Sequence, residues 1–108
     1  MDSNIIRRAF VMSICPESHH EYKRRHDEIW PELTEVLKKH GTSRYSIFLD
    51  EETSNLFAYV EITDQDRWNK IAETEVCKTW WFYMKDIMRT NEDNSPISKE
   101  LKDVFFMQ

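Results

Sequence analysis

An α+β fold of β-α-β-β-α-β order is predicted for this chain, and three observations predict it. Four short stretches read as strands, and the middle two are separated only by the polar turn Glu51 to Asn55. Helical stretches occupy the intervals between the first and second strands and between the third and fourth. Prolines, one glycine and a capping aspartate stand where those stretches should begin and end.

The first strand runs from Ile5 to Ile14, with Ile6, Phe10, Met12 and Ile14 on one face and Ile5, Ala9 and Val11 on the other. Pro16 stops it and opens a helix over Pro16 to Asp27. Pro31 forces a break after Trp30, because proline cannot donate to the preceding turn and turns its predecessor away from helix. It suits the first turn of a second helix, Pro31 to His40, with Leu33, Val36 and Leu37 inward. Lys38, Lys39 and His40 fill its last turn, and Gly41 supplies a left-handed cap. Tyr45 to Asp50 and Leu56 to Thr63 form a hairpin. Asp64 caps a helix from about Gln65, with a break near Thr74 and helical character through Met88. Asn91 to Pro96 is a polar loop, and Leu101 to Met107 is the last strand.

This order is the ferredoxin-like arrangement, a four-stranded antiparallel sheet with helices on one face. Apolar residues nevertheless occupy both faces of the strands. Val60 and Ile62 alternate with Phe57 and Tyr59, and Ile47 and Leu49 flank Phe48. A sheet wet on one side alternates more cleanly. A homodimer packed sheet on sheet, in the manner of a dimeric α/β barrel, is therefore expected.

A length of 108 residues predicts one domain spanning 1–108, and 32% charged with 40% apolar residues is an ordinary globular composition. The net charge of −5, with Lys and Arg scattered beside acids, argues against a nucleic-acid partner. No stretch approaches the ~20 apolar residues that span a bilayer, and the polar N-terminus predicts no secretory signal. Cys15 and Cys77 are far apart and read as free thiols, which points to the cytoplasm. A single glycine cannot build a P-loop or a dinucleotide fingerprint.

Two aromatic clusters could carry chemistry. Tyr22 and His26, four residues apart, share a helical face, with Trp30 four further on. His26 is a candidate acid or base, or a helix-end histidine packed on an aromatic. In Trp80-Trp81-Phe82-Tyr83, adjacent side chains diverge on a helix, so both indoles cannot face one core. They are core residues or a surface for the C–H faces of a sugar. Tyr45 belongs to a pocket mouth, an interface or the surface. His19, His20 and Glu21 lack a zinc-site spacing, so no metal is expected. Both cysteines lie beside apolar or bulky residues without an evident histidine partner, which makes a cysteine nucleophile unattractive.

These residues resemble the L-rhamnose mutarotase family. The resemblance is carried by Ala9-Phe10-Val11-Met12, Tyr22-Lys23-Arg24-Arg25-His26, Ile29-Trp30-Pro31-Glu32-Leu33, Tyr45-Ser46-Ile47-Phe48-Leu49-Asp50, Trp80-Trp81-Phe82-Tyr83-Met84 and Asn94-Ser95-Pro96. It covers about Ile5 to Phe106 and leaves Met1 to Asn4 as a short extension. It implies a dimeric ferredoxin-like fold and interconversion of the α and β anomers of L-rhamnose, without cofactor, in the cytoplasm. The family's proton donor falls on His26, its sugar-contacting tyrosines on Tyr22 and Tyr45, and its paired tryptophans on Trp80 and Trp81.

The implied chemistry suits the residues. Opening the hemiacetal ring needs a proton delivered to the ring oxygen and one removed from the anomeric hydroxyl. One positioned acid or base contributes ~10²–10⁴-fold. His26 is expected to donate to the ring oxygen, Tyr22 to hold a hydroxyl and orient His26, and Trp80 and Trp81 to bind the sugar. Three other readings compete: a cofactor-free monooxygenase on the same dimeric architecture, a sugar-binding dimer without catalysis, and a purely structural dimer.

Overall fold

A computed structural model describes residues 5–108, so the N-terminal extension lies outside the described residues. Strands β1 (Ile6–Ser13), β2 (Thr42–Asp50), β3 (Asn55–Ile62) and β4 (Lys99–Leu101) form one sheet in the order β2-β3-β1-β4. All neighbours are antiparallel. Helices α1 (His19–Asp27) and α2 (Pro31–Lys39) connect β1 to β2, and α3 (Gln65–Ile71) and α4 (Glu75–Met84) connect β3 to β4. This is the ferredoxin-like topology, with each crossover split into two helices.

The splits follow the sequence. Trp30 is held extended (φ −66°, ψ 130°) by the proline after it, so α1 and α2 cannot be continuous. Caps start both helices of the second crossover, and the one at Thr74 sets its break. Asp64 Oδ2 accepts from the Arg67 amide at 2.9 Å, and Thr74 Oγ1 accepts from the Cys77 amide at 3.4 Å. At the end of α2, Gly41 takes φ +83°, and a β-carbon there would collide with Thr63 Oγ1. Only glycine fits that conformation and that space.

Two expectations are corrected. Helical character ends at Met84 rather than Met88. The next residues bridge back to β1 instead: the Cys15 amide donates to the Ile87 carbonyl, and Ile14 pairs with Met88, so Ile87 and Met88 are buried by the sheet end. The last strand is Lys99–Leu101, not Leu101 to Met107. Asp103 accepts from the Phe105 amide and pairs with Arg7, a local turn that draws the chain off the ladder. In addition, the helix expected from Pro16 opens with a 3₁₀ turn, Pro16–Ser18.

The strand register assigns each face. Met12 lies opposite Leu56, Phe10 opposite Ala58, and Ile47 and Leu49 join them across β3. Met12, Leu56 and Ala58 of this face meet Leu33, Ile71, Trp80 and Met84 in the core, and Val60 on the same face is fully buried. The other face carries Val11 opposite Phe57 and Phe57 opposite Phe48, and among the described residues no helix covers it.

Candidate active site

Between the helices and the covered face of the sheet lies a half-open cavity of about 1240 Å³. Small-ligand pockets usually measure ~300–1,000 Å³, so a monosaccharide fills only part of it. Tyr22, His26, Tyr45, Trp80 and Trp81 all line this cavity.

On α1, the one-turn spacing stacks Tyr22 on His26, with ring centroids 4.2 Å apart and planes 27° apart. His26 Nδ1 lies 3.1 Å from the Tyr22 carbonyl oxygen. A carbonyl only accepts, so Nδ1 carries the proton, and Nε2 is the nitrogen free to exchange protons with a ligand. Trp80 of α4 meets the imidazole edge-on at 5.4 Å, and Trp30 packs edge-on against Trp80 at 5.0 Å. Burial among these rings pushes the His26 pKa below its ordinary 6.5, opposed by the Tyr22 carbonyl and the charge of Asp27. At neutral pH His26 is thus an uncharged imidazole with its lone pair at Nε2.

The Thr74 cap sets the phase of α4, turning Cys77 and Trp80 into the core while Trp81 stays half-buried one position round the helix. The two indoles therefore divide the roles that adjacency suggested: Trp80 belongs to both core and cavity, and Trp81 to the cavity wall. Burial pushes the Cys77 thiol up to about 11, which keeps it protonated and a poor nucleophile.

Tyr45 reaches the cavity through a backbone irregularity. Ser43 pairs with Glu61 and Ser46 with Tyr59, so Arg44 and Tyr45 together oppose Val60. Arg44 has φ +48°. Such a bulge re-aims the following side chain, here toward the covered face. Tyr45 meets Phe10 at 6.5 Å and Trp68 at 6.1 Å. The residue as a whole is 38% exposed, but desolvation of its hydroxyl pushes the phenol up to about 12, with Cys77 adding to the shift, and burial raises Tyr22 as well. Both phenols stay neutral and can donate or accept hydrogen bonds.

Trp68 is a cavity residue that the sequence reading passed over. The signal was present: Asp64 fixes the start of α3, and from there Trp68 and Ile71 share the inward face. His19 also lines the cavity, its Nε2 2.8 Å from Ser54 Oγ. Both cysteines are free thiols. Among the described residues, no helix is long and apolar enough to cross a membrane.

The sequence profile described as L-rhamnose mutarotase matches residues 7–107. The chain belongs to the L-rhamnose mutarotase family. A relative from Tolumonas auensis named L-rhamnose mutarotase is 65% identical over 103 residues, covering 95% of this chain and 99% of its own. The crystal structure of an L-rhamnose mutarotase from Formosa agariphila superposes with a TM-score of 0.89 at 46% identity, covering 95% of this chain and 99% of that one. A dimeric ferredoxin-like protein from an uncultured marine organism reaches a TM-score of 0.63 at 14% identity, covering 99% and 96%, and speaks to the fold alone. Membership in the mutarotase family separates this chain from enzymes that share only its architecture.

Proposed function

We propose that this chain interconverts the α and β anomers of L-rhamnose, with His26 as the group that moves the proton. The observation that carries the reading is the free Nε2 of His26, fixed by the Tyr22 carbonyl and walled by Trp80 in the family's cavity. The neutral imidazole takes the proton of the anomeric hydroxyl. The bond from the anomeric carbon to the ring oxygen breaks as the carbonyl forms. The imidazolium then donates that proton to the ring oxygen, which makes His26 the proton donor of ring opening. Rotation of the aldehyde and reversal of the steps close the ring on its other face. Atoms and protons balance without a cofactor.

Tyr22 and Tyr45 are assigned to the sugar hydroxyls, and Trp80 and Trp81 to its C–H faces. An apolar, aromatic wall suits a sugar with a methyl in place of a hydroxymethyl, although such walls reject an added hydroxyl only weakly. We further assign the chain to the cytoplasm, as one domain acting in a homodimer. The dimer is supported by the uncovered sheet face, where Phe48 is 68% and Phe57 41% exposed, and by the exposed tail from Val104 to Met107. A flat face that opposes its own copy across a two-fold axis gives a closed assembly.

Polarimetry tests the activity. A single crystalline anomer of L-rhamnose, freshly dissolved, should reach its equilibrium rotation faster with protein than in buffer. The rate enhancement should hold at neutral pH and be lost as pH falls through the lowered pKa of His26, because protonation removes the base. An enhancement that grows as pH falls through that range contradicts the neutral-base step. No enhancement at any pH contradicts the activity.

A further inference from the structure

Arg25 precedes His26 on α1, so its side chain leaves the helix about 100° away from the imidazole. The residue is buried although charged. Nε donates to Glu21 at 2.7 Å within α1. Nη1 donates to the Tyr83 carbonyl at 2.8 Å and to Asp86 Oδ1 at 2.9 Å, and Nη2 donates to Asp86 Oδ2 at 3.2 Å. The guanidinium also lies over the Tyr83 ring, 4.5 Å from its centroid.

These contacts fall at one structural point. Tyr83 carries one of the last carbonyls of α4, which has no partner inside its own helix. Arg25 satisfies it and places a cation at the negative end of the helix. Tyr83 packs in turn on Trp80 at 5.6 Å and Trp30 at 5.5 Å. On the cavity side, the same two helices meet through His26 and Trp80, an aromatic edge contact with little directional hold. The directional hold is on the reverse side, in the fork of Arg25.

We infer that Arg25 is a positioning residue for the anomer exchange: its fork to Asp86 and the Tyr83 carbonyl fixes α1 against the end of α4, and so fixes His26 against the tryptophan side of the sugar site. The inference rests on the mutarotase reading. A planar guanidinium binding two groups at once sets register as well as attraction, which an ammonium point charge does not. A misplacement of about 1 Å can lower a rate ~10²-fold, which is the scale of effect assigned to this fork.

The test compares Arg25→Ala, Arg25→Lys and Asp86→Asn with wild type by exchange kinetics, separating kcat from KM, alongside proton–nitrogen NMR of the His26 ring. Arg25→Ala should lower kcat by about 10²-fold with little change in KM, and should move the His26 resonances. Arg25→Lys should recover little of that loss. Millimolar guanidinium should restore part of it, because Arg25 borders a groove open to the surface. Should Arg25→Ala fail to fold, Asp86→Asn decides. It removes the charge of a largely exposed carboxylate and should lower kcat several-fold while shifting the same resonances. Folded variants with wild-type kcat and unmoved His26 resonances overturn the inference, even if their melting temperature falls. Absence of exchange in wild type overturns the mutarotase reading instead.

Discussion

The two faces of the sheet are both apolar, yet they do different work. The helix-covered face buries Met12, Leu56, Ala58 and Val60, and also holds a cavity lined by histidine, phenols and indoles. The open face presents Val11, Phe57, Phe48 and Leu101, with Arg7, Tyr59 and Glu61 gathered as a polar group at one end, beside a tail whose Val104 is 88% exposed. Apolar alternation therefore marks a face without telling what it does. The difference lies in the groups that interrupt it. A bulge swings Tyr45 onto the covered face, and α1 sets a histidine above it. The groups that interrupt the open face, Tyr59 bonded to Glu61 and Arg44 paired with Glu61, are exposed or half-buried, and they frame no aromatic-walled histidine.

The sharpest way to break this division is at His26. His26→Ala should lower the anomer-exchange rate by ~10²–10⁴-fold while leaving circular dichroism and oligomeric state unchanged, as checked by exchange kinetics and light scattering. A loss of fold or of dimer instead would show that the cavity side is core first and site second. Trp80 is where core and site overlap. Trp80→Ala should cost about 3–5 kcal/mol in thermal or denaturant unfolding, because a buried indole leaves a cavity. Trp81→Ala, at a half-buried position, should cost much less stability and act mainly on the apparent KM.

Much of this contrast was legible in the sequence. The positions of Trp30, Pro31 and Gly41 gave the first crossover, and the Asp64 cap gave the start of α3. The shared helical face of Tyr22 and His26 was readable from a spacing of four. The state of His26 was not, because it depends on Trp80, a residue 54 positions away (80 minus 26) that burial brings to the ring edge. The side of Tyr45 was readable too, since it alternates in phase with Ile47 and Leu49; the bulge before it was hidden, because Arg44 carries no glycine to mark it and only Thr42 and Ser43 fall out of that phase. The end of the chain misled for a different reason. Leu101 to Met107 is apolar enough for a strand, but a strand needs an edge to pair with, and the turn at Asp103 removes it.

Two smaller effects sharpen the comparison from the other side. Phe48→Lys puts a charge on the open face; burying a phenylalanine is worth about 1.5–3 kcal/mol, so the dimer should weaken on that scale in sedimentation equilibrium while the unfolding midpoint of the dissociated chain stays put. A Phe48→Lys protein with unchanged association would mean that the open face is not the interface. Gly41→Ala, in the turn that leads into β2, should lose about 1–2 kcal/mol of stability from its left-handed backbone alone, with more from the Thr63 contact, measured by urea unfolding. Its exchange rate per folded molecule should match wild type.

The most direct test of the central claim is proton exchange spectroscopy on equilibrated L-rhamnose with matched catalytic amounts of wild type and His26→Ala. Cross-peaks between the two anomeric protons that appear with wild type and fall to the buffer level with His26→Ala are the predicted result. Cross-peaks of equal strength with both proteins would contradict the assignment of proton transfer to His26, and their absence with wild type would contradict the proposed activity itself.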